Sequence, residues 1–406
     1  MSIRFEQLVY LWGPPKGRTI DKDRLRIGNV STDSRKIKAG DFFIPISGKY
    51  FDGHDFLLEA YKAGSSMTVI SNSANCNPPS GFTYWIVDNT LMALHQLATL
   101  KRQNLEAKII AITGSVGKTT TKDILKTTLS SSYKVLATSK NFNNEIGLPL
   151  TILEAKSFHN ILILEMGMRA IGEIKTLSSI AHPDIAIITM IGNSHIGRLG
   201  SLENIAKAKC EITYRLRSDG VVIIPSGDVI LEKELSKVWN GRVLRISMRA
   251  LTHDKPSYNN LPQANYCGQY NSHNQTLILE GQSFQLPYPG EHIAYNFLFA
   301  IAIQKELNLP IEIIKKLKAN SLPGRNLVLY ISGITLLDET YNSSPESLIA
   351  SLVMLNNYKG KHFAIIGTMK ELGRKREELH LAVAQRILEL DIEGVKISSA
   401  FSQSIL

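Results

Sequence analysis

The stretch Ala111-Ile-Thr-Gly-Ser-Val-Gly-Lys-Thr-Thr120 decides how this chain is read. It ends in Gly-Lys-Thr, the ending of a loop that cradles phosphate. The usual pattern sets another glycine about five residues before the second one. That position, 112, is isoleucine here, so the loop is short: Gly114-Ser115-Val116-Gly117-Lys118-Thr119, followed by Thr120. The apolar run IIAIT (109–113) leads into it. KTTTKDILKTTLSSS (118–132) follows with helical spacing, Ile124 with Thr128 and Leu125 with Leu129. Strand, glycine loop and helix in that order are the context in which such a loop binds nucleotide. Glycines let backbone N–H groups turn toward phosphate oxygens. The helix start adds partial positive charge. Lys118 would reach the β- and γ-phosphates, and the Thr119 hydroxyl would ligate Mg²⁺. The plain alternative is a glycine turn with Lys118 in solvent.

Bulk properties frame that site. A chain of 406 residues exceeds what one core usually serves, so two or three domains are expected. With 44% hydrophobic and 20% charged residues it has the make-up of a soluble globular protein. No run of about 18 apolar residues marks a membrane span. The start, MSIRFEQLVYLWGPP, carries Glu6 and no small-residue cleavage site, so it makes a poor signal peptide. Cys76, Cys210 and Cys267 have neither metal-ligand nor redox spacing, which suits a reducing cytoplasm. The net charge is +10. Apart from Lys359 to Arg376, the basic residues are scattered and not interleaved with aromatics. The charge therefore fits an enzyme handling anionic nucleotides, and no nucleic-acid partner is expected.

Further continuous apolar runs are ILILEMG (161–167), DIAIITMIG (184–192), GVVIIPSG (220–227) and HFAIIG (362–367). Unbroken Ile/Val/Leu runs suit strands covered on both faces. Their alternation with helix-like stretches predicts α/β domains with largely parallel sheets. A helix is expected at TLMALHQLATLKRQ (90–103), closing a first domain at about residue 105. Pro323-Gly324 follows a helix-like IEIIKKLKA (311–319) and marks a second boundary. Three domains result: 1–105, 106–322 and 323–406. The polar segment 253–275 reads as an irregular excursion with short strands.

The loop and its neighbours resemble the Mur ligase family, which carries a Gly-x-x-Gly-Lys-Thr-Thr loop after an apolar strand. Further blocks in the same order extend the resemblance over about residues 25–390. They are STDSRKIKAGDFFIPISGKYFDGHDF (31–56), NFNNEIGLPLTIL (141–153), LEMGMRAIGEI (164–174), ITMIGNSHIGRLGSLENIAKAKCEI (188–212), PGEHIAYNFLFAIAI (289–303), LPGR (322–325) and LLDETYNSSPESL (336–348). Asn141 to Pro149, Glu165-Met-Gly-Met and Tyr341-Asn-Ser-Ser-Pro are most similar to the branch that adds D-alanyl-D-alanine.

The resemblance implies a UDP-sugar-binding domain, a central ATPase domain and a Rossmann-like C-terminal domain. It implies ATP-driven amide-bond formation between UDP-N-acetylmuramoyl-tripeptide and D-alanyl-D-alanine through an acyl phosphate. ATP and two Mg²⁺ ions are the expected cofactors, in a cytoplasmic monomer. Glu165, at a strand end where α/β sheets gather ligands, would bind Mg²⁺. His195 and a carbamylated Lys209 would hold a second ion. Read from the residues, His195 is a loop residue or general acid and Lys209 a solvent-facing helix lysine. Lys207, two positions away, faces another side of the helix. Asn296 would contact adenine, although its usual companion asparagine is Ile293 here. Arg325 would reach the γ-phosphate, and Asp338 the ribose or the phosphate-binding groups. Ser34, Arg35, Lys49, Asp52, His54 and Asn143 would bind the UDP-muramoyl substrate, Arg35 and Lys49 suiting its pyrophosphate.

The C-terminal domain reads as shortened, ending at EGVKISSAFSQSIL without the family's late Lys-Gly-Ser-type block. IIGTMKELG (365–373) departs from Asp-Met-x-Glu-Leu-Gly at Thr368 and Lys370. Two other readings stand beside the ligase. One is a sibling ligase adding a diamino acid, or a folylpolyglutamate-type ligase, against which the asparagine-rich block and Asp33-Ser34-Arg35 argue. The other is a truncated, non-catalytic nucleotide- or UDP-sugar-binding relic.

Overall fold

A computed structural model describes residues 3–17, 27–139, 141–249, 262–315 and 324–397. The chain divides into two compact units. The first comprises Met1–Ile109, Lys134–Met166 and Thr176–His182; the second comprises Ile110–Tyr133, Gly167–Lys175 and Pro183–Leu406.

In the first unit a five-stranded sheet runs in the order Lys16–Gly17, Thr83–Val87, Met67–Ser71, Phe42–Phe43, Val30–Ser31. All neighbours are parallel except the first pair. Side chains alternate across a strand, so the adjacent Phe42 and Phe43 serve two different cores. Phe42 joins Met67, Val69, Trp85, Leu94 and Leu97 on one face. Phe43 joins Leu57, Ile70 and Phe82 on the other. Trp85 stacks on Phe42, ring centroids 6.1 Å apart, and its indole N–H donates to the Gly13 carbonyl at 2.9 Å. The helix Thr90–Gln103 starts on an Asn89 cap that accepts the Met92 N–H, and occupies the residues expected for it. Leu150 and Leu153 of the helix Gly147–Glu154 pack on the same core. The strands Val135–Ala137 and Ile161–Glu165 pair in parallel, and every residue of the second is buried.

In the second unit residues 110–113, which end the strand Lys108–Thr113, pair in parallel with Ile185–Ile188, followed by Val221–Pro225, Arg242–Met248 and Tyr266–Asn271. Two antiparallel strands, Thr276–Leu279 and Gln282–Gln285, complete that run. The helix Lys118–Leu129 packs against Glu291–Glu306. The latter is buried on most sides, from Ile293 through Gln304, which is why it reads as almost continuously apolar. Later elements are the hairpin Leu327–Ile331 and Ile334–Asp338, the helices Pro345–Asn356 and Arg376–Glu389, and the parallel pair Phe363–Ile366 and Gly394–Ile397.

The mixed α/β class with largely parallel sheets is what the residues form. No described helix is long and apolar enough to cross a membrane. The helix expected over 311–319 is a single tight turn at Ile311–Ile314, its residues from 316 lying outside the described set. So do Pro323 and residues 253–261 of the polar excursion, which contains the strand Tyr266–Asn271.

Ile223 is fully buried and pairs between Ile187 and Leu244. Ile223→Ala is expected to cost about 3 kcal/mol, read as a lower urea midpoint at unchanged slope.

Candidate active site

The phosphate loop is locked by close approach. Gly114 has φ +151°, and a Cβ there would overlap the Thr189 hydroxyl. Thr189 Oγ1 donates to the carbonyls of Thr113 and Val116. Ser115 N–H donates to Met190 O at 2.9 Å, and its hydroxyl donates to Gly192 O at 3.0 Å. Gly117 sits at φ +84° as the left-handed residue ahead of the helix, where a Cβ would come within 2.7 Å of Asn296 Oδ1. Lys118 folds back on the loop, Nζ donating to Gly114 O at 2.7 Å. Thr119 and Thr121 are buried, Thr120 half-buried. The loop thus presents backbone N–H groups and a lysine at a helix start, the arrangement that receives phosphate.

Beside it lie His195 and Lys209. His195 has φ +66° and precedes the one-turn helix Ile196–Leu199. Its Nδ1 bonds to Glu371 Oε2. Burial lowers its pKa, Glu371 opposes that, and the charges of Lys209 and Lys118 lower it further. Lys209, on the helix Leu202–Cys210, is fully buried, whereas Lys207 is exposed. Its Nζ makes no hydrogen bond or ion pair among the described residues. Burial first, then the Lys118 charge, hold its pKa well below 10.5, because nothing offsets the lost hydration of an ammonium. Lys118, His195 and Lys209 therefore share one electrostatic neighbourhood. No three His, Cys, Asp or Glu side chains converge as a preformed metal centre among the described residues.

Arg325 stacks over Tyr341, guanidinium carbon 3.9 Å from the ring centroid. With Asn326, Thr120, Asp123 and Tyr288 it lines a small cavity at the start of the phosphate-loop helix. Asp338 Oδ2 accepts the Gly324 N–H at 3.0 Å, and its Oδ1 accepts the Thr340 hydroxyl at 2.7 Å. Asp338 thereby fixes the backbone next to Arg325. Asn296 Oδ1 accepts the Thr121 hydroxyl at 3.2 Å, which seats Asn296 against the phosphate loop. Burial pushes the His292 pKa down to about 4 against a hydrogen bond with Asn326.

The remaining expected residues belong to the first unit. Glu165 ends its strand buried, its N–H donating to the Thr138 hydroxyl and its Oε1 accepting Asn143 Nδ2 at 2.9 Å. Asp33 clamps the exposed Arg35 through Nε at 2.8 Å. Ser34 Oγ donates to Glu59 at 3.4 Å. Lys49 lies 5.4 Å over the Tyr50 ring. Asp52 Oδ1 accepts the His54 N–H and the Ser47 hydroxyl. His54 is buried, Nδ1 on Asp52 at 2.6 Å and Nε2 on the Ser71 N–H at 3.0 Å. Both ring nitrogens are thus occupied, one by the Asp52 carboxylate and one by the end of the strand Met67–Ser71.

Thr189, Glu346 and Glu371 lie within the segments 188–212, 336–348 and 365–373 but have no assigned role there, yet each holds this site. Glu346 Oε1 accepts the Asn193 N–H at 2.7 Å and its Nδ2 at 2.8 Å.

A glycine loop seated between two parallel strands, with a cationic cluster around it, defines a nucleotide-dependent α/β enzyme. The models for the Mur ligase family catalytic domain and the Mur ligase middle domain match residues 26–105 and 112–304. A UDP-N-acetylmuramoyl-tripeptide–D-alanyl-D-alanine ligase of Synechocystis is 36% identical over 374 residues, covering 91% of this chain and 79% of that protein. This chain belongs to the Mur ligase family. Among solved structures, MurF from Acinetobacter baumannii is similar with TM-score 0.88 and 27% identity, over 100% of this chain and 87% of that one. MurF ligase from Thermotoga maritima in complex with ADP has TM-score 0.79 and 28% identity, over 93% of this chain and 86% of that one.

Lys209 yields a test with a definite sign. Its folded pKa is depressed, so the unfolded chain binds a proton there below pH 10.5 that the folded chain refuses. That cost, about 1.4 kcal/mol per unit of depression, is full below the folded pKa and vanishes as pH rises through 10.5. In CO₂-free buffer, Lys209→Met is expected to raise Tm at pH 7 and to gain much less at pH 10. Equal gains at both would mean that the folded chain does not depress the Lys209 pKa.

Proposed function

We propose that this chain is an ATP-dependent ligase that joins D-alanyl-D-alanine to UDP-N-acetylmuramoyl-tripeptide in peptidoglycan-precursor synthesis. The carrying observation is a phosphate loop locked beside a buried, uncompensated lysine, in a chain 36% identical to a ligase of that name. The similarity to an ADP complex supports adenine nucleotide as its energy source. In this reading 1–105 takes the UDP-sugar, 106–322 the ATP, and 323–406 the incoming dipeptide, in a cytoplasmic monomer.

The tripeptide carboxylate attacks the γ-phosphate, giving an acyl phosphate and ADP. The dipeptide amine then attacks the acyl carbon and expels phosphate. The first step joins two anions, so positive charge and alignment dominate catalysis. Lys118 swings from Gly114 O to the phosphates, and the loop N–H groups bind their oxygens. Arg325, held by Asp338 and Tyr341, meets the γ-phosphate. Asn296 braces the loop and faces the adenine side. Arg35, Lys49, Ser34, Asp52, His54 and Asn143 form or support the UDP-muramoyl site.

The donors present fit Mg²⁺, which keeps several waters and phosphate ligands and needs no all-protein cage. Thr119 would hold one ion, and His195 and Lys209 a second; the buried strand-end carboxylate of Glu165 would serve as a Mg²⁺ ligand of the first unit. Bound there, the ions would screen the repulsion between carboxylate and phosphate. Burial holds the Lys209 pKa well below its ordinary value, which favours the free amine that CO₂ would convert to a carbamate, and the carbamate would give the second ion an anionic ligand.

Phosphate release from ATP by the full chain is expected to require Mg²⁺, UDP-N-acetylmuramoyl-tripeptide and D-alanyl-D-alanine together, with the pentapeptide product seen by mass spectrometry. Lys118→Ala is expected to lower kcat by about 100-fold or more. Turnover with a diamino acid instead of the dipeptide would transfer the reading to a sibling ligase. Saturable nucleotide binding without any turnover would reduce it to a binding protein.

A further inference from the structure

The segment Glu371-Leu372-Gly373 and the loop around His195 fit each other at unusually close range. Gly197 N–H donates to Glu371 O at 2.9 Å. A Cβ on Gly197 would lie 2.5 Å from the Gly373 nitrogen, and one on Gly373 would lie 2.5 Å from Gly197 Cα. Neither position admits a side chain. Met369 and Leu372, both buried, anchor the segment on either side of Glu371. Glu371 itself has φ +61°, facing His195 at φ +66°. Two non-glycine residues in the left-handed region persist only where their surroundings enforce them.

The Glu371 carboxylate is fully used. Oε2 takes His195 Nδ1, and Oε1 takes Arg198 Nε at 3.1 Å and Arg198 Nη2 at 3.0 Å. Arg198 holds the carboxylate in place, and the carboxylate holds the imidazole. His195 Nε2 is left without a partner among the described residues, on a ring that senses Lys118 and Lys209. Asn193, two residues earlier, is tied through its N–H and amide to Glu346.

We propose that Glu371 is the positioning residue for His195. It fixes the neutral imidazole as the Nδ1–H tautomer and aims the Nε2 lone pair at the nucleotide site. A ring whose second nitrogen is held by a carboxylate is fixed in tautomer and direction and is a stronger donor at the first. Because Glu371 and Glu346 both follow residue 324, His195 is presented only when this later part of the chain is docked on the 192–198 loop. The role of the presented nitrogen rests on the ligase reading above; the tautomer does not.

The test uses the full chain with ¹⁵N-labelled histidine, His195 being assigned by its loss in His195→Ala. Long-range ¹H–¹⁵N spectra are expected to show Nδ1 protonated and Nε2 bare in the wild type. Glu371→Ala is expected to shift His195 toward the Nε2–H form that dominates in free histidine. It should lower kcat by about 10- to 100-fold while KM for ATP changes less than about threefold. Glu371→Gln, whose amide oxygen still accepts the Nδ1 proton, is expected to keep the tautomer and to retain more activity than the alanine variant. Should Glu371→Ala fail to fold by circular dichroism, Glu371→Met, of similar length and without an acceptor oxygen, takes its place and is expected to show the same shift of tautomer. A wild-type spectrum with Nε2 protonated, or a tautomer indifferent to both substitutions, overturns the proposal. If the wild-type chain shows no ligase turnover, the functional reading fails, and the spectra still decide what Glu371 does.

Discussion

The contact between Gly114 and Thr189 constrains everything around it. The phosphate loop leaves the strand Lys108–Thr113 and passes so close to the end of Ile185–Ile188 that no side chain fits between. Two parallel strands paired along their length bring those ends to the same level. The Thr189 hydroxyl, donating to carbonyls on both sides of Gly114, turns the contact into a clamp. Thr189 on the Val116 carbonyl and Met190 O on the Ser115 N–H hold the loop backbone from the side of that strand end. The same strand end continues into Asn193 and His195, so one clamp sets the register of the phosphate loop and of the histidine loop together.

The site sets a loop lysine beside a buried one that has no counter-charge among the described residues. Lys118 and Lys209 lie near each other, and Lys209 has no counter-ion among the described residues. Burying an ammonium without one is costly enough that the group sheds its proton instead. A structural core would not retain that feature, since an apolar side chain of similar length would fill the space at lower cost. Its retention makes sense where the amine does chemistry, or where anions arrive to offset the charge.

Much of this was legible in the sequence where the information is local. The phosphate loop, its flanking strand and helix, and the helix Thr90–Gln103 are each set by contiguous residues and standard periodicities. Lys209 against Lys207 could be weighed from helical spacing. The Glu371 contact could not: it joins residues 176 positions apart, and no pattern within either segment announces it. Thr189 was hidden for a related reason. It sits at the end of a strand that reads as buried core, and only strand order places it behind Gly114. Of the helix-like stretch 311–319, only its start is described, as the tight turn Ile311–Ile314.

The histidine loop shows why local strain and distant contacts belong together. His195 in the left-handed region is unfavourable on its own, because its Cβ crowds the following carbonyl. Ile196–Leu199 is a single helical turn, too short to hold itself. What sustains the conformation must come from outside: Glu371 on the ring, its carbonyl on the Gly197 N–H, and Glu346 on Asn193. Each bond is of ordinary strength. Together they hold a geometry that neither segment would adopt separately, so the imidazole is ordered by the same contacts that dock the later part of the chain. An active-site side chain arranged in this way is correct only when the fold around it is complete, and that ties catalytic readiness to docking without a separate regulatory element.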